Sequence, residues 1–159
     1  MVALPAEAHQ RLVEQLIFEW ARAIDENRIE AICDLLDENG RYTVTSRFNS
    51  DRGLPMAVID CHGAAQLRDR IKSMRLANVY EPHHYCHVVS GVQIIASEGS
   101  ALQVRSSFLV VRTMELDGEM KLYSAGQCQD TVDASTGRFI SRKFIYDSRA
   151  IETLMVIPL

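Results

Sequence analysis

Between residues 5 and 24 the apolar side chains Leu12, Leu16, Ile17, Trp20, Ala21 and Ile24 recur at helical spacing. Glu14, Glu19, Arg22 and Asp25 fall elsewhere on the wheel, so the pattern predicts a long amphipathic helix. A second, shorter helix carries Ile29, Ile32, Leu35 and Leu36. Residues 25–27 can cap its start, and Asn39-Gly40 are the residue types that accept the left-handed backbone at a helix end. These two helices form a hairpin. RYTVTSRF, residues 41–48, then alternates as a strand, and 49–60, with Gly53 and Pro55, reads as a loop. A third helix is predicted over 63–77, with Leu67, Ile71 and Met74 on its apolar face and Arg68, Lys72 and Arg75 on the other.

After Glu81-Pro82 the period changes to two. Segments 83–95, 101–114, 120–132 and 138–147 read as strands, longer than the usual five or six residues and joined by short turns at 116–119 and 133–137. Hairpins of that length require a strongly twisted antiparallel sheet. Helices first and strands last make the class α+β: N-terminal helices packed on one face of a long, strongly curved antiparallel sheet, with no parallel βαβ unit. Residues 1–159 are expected to form a single domain.

Composition narrows the function more than the fold. The chain carries 17 basic and 21 acidic side chains, a net charge of -4, and 47% hydrophobic residues. A chain of roughly 150 residues buries about 70% of its unfolded surface, so neither a metal nor a disulfide is needed to hold a core. No block of like charge suggests nucleic acid or a membrane surface as a partner. Cys33, Cys61, Cys86 and Cys128 stand too far apart for a CxxC pair, and MVALPAEAHQ lacks the layout of a signal peptide, which points to a reducing cytoplasm. The longest apolar run is far short of a bilayer span.

Several constellations could carry chemistry. Pro82-His83-His84-Tyr85-Cys86-His87 is rich in histidine, but on a strand His83 and His87 share a face about 13 Å apart while His84 points the other way. The simpler reading is a histidine cluster at a strand entrance, hydrogen-bonded or facing another subunit. Cys61-His62 and Cys86-His87 provide the residue types of a Rieske centre, but each pair is directly adjacent, whereas CxH and CxxH spacing lets both ligands turn inward. No GxSxG, P-loop or GxGxxG occurs. An acid-base site could be assembled inside a curved sheet from Asp25, Tyr42, His87, Tyr123 or Tyr146, although such groups also serve as hydrogen-bonded core residues. Arg68, Lys72 and Arg75 read as a solvated helix face; Met56, Met74, Met114, Met120 and Met155 read as core or interface filler.

The order of parts resembles the cone-shaped fold of the nuclear transport factor and scytalone dehydratase superfamily. Residues 18–44, FEWARAIDENRIEAICDLLDENGRYTV, 70–94, RIKSMRLANVYEPHHYCHVVSGVQI, 106–114, SSFLVVRTM, and 144–159, FIYDSRAIETLMVIPL, are similar to the small (beta) subunits of bacterial aromatic-ring-hydroxylating dioxygenases. The middle segment is most like those of terephthalate-, anthranilate- and salicylate-type enzymes. The resemblance implies that a large subunit carries the Rieske 2Fe-2S cluster and the mononuclear iron. It further implies that this chain is a scaffold on which three large and three small subunits assemble, so that it meets both the large subunit and copies of itself. It carries over no catalytic, cofactor-binding or metal residue. Ser90-Gly91 suggests a local bulge at the glycine. The alternatives are a self-contained dehydratase, isomerase or cyclase with a pocket against the concave sheet, and a small-ligand binding or transport module.

Overall fold

The computed structural model describes residues 6–151 and 155–159. Helix α1 (Ala6–Asp25) buries Val13, Leu16, Ile17, Trp20 and Ile24, the stripe its spacing predicts; the expected start at Pro5 lies outside the described residues. Asn27 closes this helix rather than capping the next one. At φ 58 it lets its own N–H reach the Ile24 carbonyl at 3.0 Å and the Arg28 N–H reach the Ala23 carbonyl at 2.7 Å, the paired bonds of a Schellman end.

A 3-10 turn (Ile29–Ala31) leads into α2 (Ile32–Leu35), a single turn, and the chain is already extended at Leu36. The predicted helix ran on to Asn39. Leu35 and Leu36 fit either spacing, and tertiary pairing decides: Leu36, 1% exposed, lies opposite Phe139 of the final strand. Strand β1 (Leu36–Ser46) passes into α3 (Arg47–Asp51), so the expected strand end at 47–48 is helical. Ser46 caps that turn by accepting the Asn49 N–H at 3.2 Å. The expected loop 49–60 therefore contains part of α3 and the start of β2 (Ile59–His62), a strand of four residues that is too short to show a period.

Helix α4 (Ala64–Leu76) matches its prediction and buries Leu67, Ile71 and Met74. Strands β3 (His83–Glu98), β4 (Ala101–Met114), β5 (Met120–Asp133) and β6 (Arg138–Tyr146) follow within a few residues of the pattern. The β3–β4 register shifts between Ser90 and Gln93, where Gly91 takes φ 61, as the Ser90-Gly91 pair suggested.

The sheet runs β2-β1-β6-β5-β4-β3. All neighbours are antiparallel except β1 and β6, which run parallel over Arg41–Ser46 against Ser141–Tyr146, so the sheet is mixed rather than wholly antiparallel. This is not a βαβ crossover, because β2 to β5 intervene. Helix α1 packs on β3, and α4 packs on β1 and β2. Between helices and sheet lies a core rich in aromatic rings, with the Trp20 ring 5.2 Å from Tyr42 and 5.6 Å from Phe139. Residues 155–159 run into this core, where Met155, Ile157 and Leu159 are buried.

Candidate functional site

Of the five acid-base candidates, the structure brings two into contact. Asp25 ends α1 and His87 sits on β3; the His87 ring nitrogen Nδ1 donates to Asp25 Oδ1 at 2.6 Å, and the His87 main-chain N–H donates to Asp25 Oδ2 at 2.8 Å. The carboxylate can only accept, so it fixes the proton on Nδ1. The His87 side chain is 1% exposed, and its Nε2 has no hydrogen-bond partner among the described residues.

An aromatic row continues from this pair along β3. The rings of Tyr85 and His87 are 6.1 Å apart and those of His83 and Tyr85 5.4 Å; Tyr85 stacks on Tyr123 of β5 at 5.2 Å, with the Arg112 guanidinium 5.2 Å from the Tyr123 ring. Burial pushes the Tyr85 phenol up, and Tyr123 adds to the shift, so Tyr85 is held in its neutral form. A cleft of about 230 Å³ opens beside the row, lined in part by Ile24, Asp25, Tyr80, His83, Tyr85 and Ile157. His84 faces away, 59% exposed, with Nε2 3.4 Å from Glu115. That is the opposite-face arrangement expected of a strand.

Tyr42 and Tyr146 are not part of the His87–Asp25 pair. Tyr42 bonds instead to the main chain of Leu159, donating to its carbonyl at 2.8 Å and accepting its N–H at 3.0 Å. Burial raises the Tyr42 phenol strongly, against the pull of Arg142. Tyr146 is buried in β6, and burial raises its phenol too.

Neither cysteine-histidine pair suits a Rieske cluster. Cys61 is 4% exposed while the His62 side chain is 65% exposed; Cys86 is exposed while His87 is buried. Adjacent residues on a strand face opposite ways, so neither pair can turn both ligands to one metal. Among the described residues no group of three His, Cys, Asp or Glu gathers in a metal-holding arrangement. The described side chains thus gather no ligand set for a Rieske cluster or a mononuclear iron. The three buried thiols are not poised for nucleophilic work either: burial pushes Cys33 up to about 11 and raises Cys61 and Cys128 as well.

The basic trio on α4 is not uniformly solvated. Arg75 donates to both carboxylate oxygens of Glu30, at 2.7 and 3.1 Å, and to Asn27, so it fastens α4 to the end of α1. Met155 is core filler, as read, whereas Met56 and Met120 are each 67% exposed.

The pattern analysis missed a buried ion pair. Arg142 Nη1 donates to Asp130 Oδ2 at 2.7 Å, with both side chains at most 1% exposed and the guanidinium 4.5 to 5.0 Å from the rings of Phe139, Phe144 and Trp20. A signal was present: Asp130 falls in the inward phase with Cys128 and Val132, and Arg142 in that of Phe144, at paired positions.

Residues 8–143 match the SnoaL-like domain. The anthranilate 1,2-dioxygenase small subunit of Burkholderia cepacia is 34% identical over 138 residues, spanning 86% of this chain and 85% of that one. The chain belongs to the SnoaL-like family, among the small subunits of aromatic-ring-hydroxylating dioxygenases. The beta 2 subunit of the terephthalate 1,2-dioxygenase terminal oxygenase from a Comamonas species is 30% identical over 143 residues, 88% of this chain and 92% of the relative. Among solved structures, the beta subunit of a proposed aromatic-ring-hydroxylating dioxygenase from Novosphingobium aromaticivorans superposes at a TM-score of 0.87 with 33% identity, covering 97% and 99% of the two chains. The cone of this small subunit is the curved sheet under α1 and α4, with Asp25 and His87 at its wall and residues 155–159 in its interior.

Proposed function

We propose that this small subunit is the structural, assembly-supporting component of a multicomponent Rieske non-heme iron oxygenase that hydroxylates an aromatic ring in aromatic compound degradation. A large subunit holds the cluster and the mononuclear iron and supplies the oxygen chemistry. The observation that carries this reading is the 34% identity to a dioxygenase small subunit over 86% of the chain. It is supported by the opposed facing of both cysteine-histidine pairs, which leaves these pairs unsuited to hold a Rieske cluster. The described residues share one buried cluster from Val13 to Leu159, which supports reading 1–159 as one domain. We take its setting to be the cytoplasm, in keeping with its free cysteines, and its partners to be the large subunit and identical copies, three of each.

The self-contained acid-base enzyme has one observation in its favour, the Asp25–His87 pair, whose imidazole is buried with Nε2 free of a partner among the described residues. Against it, Tyr42, another of the proton-transfer candidates, bonds to the main chain of Leu159 rather than to this pair. Co-expression with a large subunit carrying CxH and CxxH motifs tests the proposal. A complex near three plus three by light scattering, with iron lost when the large subunit is removed, is the expected result. A monomer that ignores the large subunit, or one iron per small subunit retained through dialysis against chelator, overturns it.

A further inference from the structure

Residues 155–159 add neither a helical turn nor a strand, yet Met155, Ile157 and Leu159 are only 1%, 7% and 0% exposed. Side chains from three other elements hold their main chain. Arg70 of α4 donates to the Met155 carbonyl at 3.0 Å, Trp20 Nε1 of α1 donates to the Leu159 main-chain oxygen at 2.9 Å, and the Tyr42 hydroxyl of β1 donates to that same oxygen at 2.8 Å. The Leu159 N–H donates back to Tyr42 at 3.0 Å. Among the described residues no main-chain group elsewhere bonds to this segment.

This construction is that of a ligand site: an apolar, aromatic-lined space with a few placed polar groups that read one carbonyl and one N–H. Tyr42 reads both groups of a single residue, and Trp20, whose ring lies 5.2 Å from that of Tyr42, reads the carbonyl a second time. Withdrawal of the segment breaks these four bonds and leaves the sheet ladder untouched, the condition for a local opening rather than global unfolding. It also leaves the buried Trp20 indole N–H and the Tyr42 hydroxyl without their acceptor, which a carbonyl of an incoming ligand would replace.

We propose that the space between α1 and β1 is a binding site for an N-acylated, branched-aliphatic amino acid unit, and that Met155–Leu159 occupies it as an exchangeable ligand supplied by the chain itself. The proposal goes beyond the assembly role and does not rest on it. A tethered segment competes at high effective concentration, so an outside ligand binds weakly to the intact chain and well only when the segment is expelled.

Trp20 is the only tryptophan in the sequence, so its fluorescence reports on the site. The probe is N-acetyl-leucinamide, which carries the isobutyl group, the N–H and the carbonyl of Leu159; N-acetyl-glycinamide is the control. In the full chain bearing Ile157→Asp and Leu159→Asp, whose buried charges expel the segment, the leucine compound gives a saturable shift in Trp20 emission. Its apparent affinity is at least about tenfold stronger than for the unmodified chain. Adding Tyr42→Phe weakens it at least about threefold, the scale of one lost hydrogen bond. Absence of saturation in the folded variant, or an equal response to the glycine compound, overturns the proposal.

Should the double variant lose its cooperative melt, hydrogen exchange on the unmodified protein decides. The proposal expects the Leu159 amide and the Trp20 indole N–H to exchange at least about tenfold faster than the core amides of β4 and β5, as local opening requires. Exchange of both only at the rate of those core amides would make the segment a permanent part of the core and overturn the proposal.

Discussion

Asp25 and His87, 62 residues apart, are joined twice, through the imidazole Nδ1 at 2.6 Å and the main-chain N–H at 2.8 Å. The carboxylate ends α1, where the helix dipole disfavours a negative charge, so these two donors offset a local penalty while tying the helix to the sheet. They also occupy an N–H of β3, the edge strand. Gln10 does the complementary work further along, donating to the Val92 carbonyl at 2.9 Å. Helix α1 thus covers the edge of β3 with one acceptor and one donor.

That double link separates a structural histidine from a catalytic one. His87→Gln keeps some hydrogen bonding but cannot act as an imidazole base, and it should cost about 1.5–3 kcal/mol of stability, the scale of a charge-assisted hydrogen bond. In the assembled complex, ring-hydroxylating turnover should stay within a few-fold. Loss of about 100-fold or more, at matched iron content and oligomeric state, would make His87 a general base.

Trp20 is fully buried against Tyr42, Phe139 and Arg142 and donates to Leu159. Trp20→Ala should therefore cost about 3–5 kcal/mol, measured by denaturant melts. A loss below about 0.5 kcal/mol, the scale of surface changes, would contradict its place in the core.

Burial, opposed by Arg142, pushes Asp130 up to about 6. Folding therefore favours its protonated form relative to the unfolded chain, while at neutral pH the group stays ionised beside Arg142. The stability that this proton confers is present below the unfolded value near 4 and is lost as pH rises through about 6. Asp130→Asn removes the titration, so the unfolding free energy of the variant minus that of the wild type should rise between about pH 4 and about pH 6. Urea melts across that window check the sign, and a falling difference would mean that Arg142 outweighs burial.

Gly126 lies opposite Tyr146 where β5 meets β6, and a Cβ there would run into the Ile145 carbonyl oxygen, a main-chain atom that cannot swing away. Gly126→Ala should destabilise by about 3 kcal/mol, at the upper end for overpacking. Gly118→Ala, with open space around its Cβ but φ 74, should cost less, about 1 kcal/mol, from backbone strain alone. Thermal melts of the two variants side by side test the ranking.

The sequence by itself determined the elements whose periods are long enough to count. Leu12 to Ile24 repeats over several turns, and 101–114 alternates over a whole strand, so α1 and β4 were legible, as was the α+β class. The likeness of residues 18–44 and 70–94 to dioxygenase small subunits was legible too, because it rests on order and composition over most of the chain. Tertiary structure alone decided what depends on partners remote in sequence. Leu36 turned from helix to strand because Phe139 pairs with it, and the parallel β1–β6 contact joins residues about a hundred positions apart, beyond the reach of any local pattern. Asp25 and His87 were both named as candidates, yet only the packing of α1 on β3 brings them into contact, while Tyr42 is drawn away to Leu159. A period states which face a side chain takes; which other chain segment meets that face is settled by the packing of the whole core, where Trp20, Tyr42, Arg142 and Leu159 come together from four separate parts of the sequence.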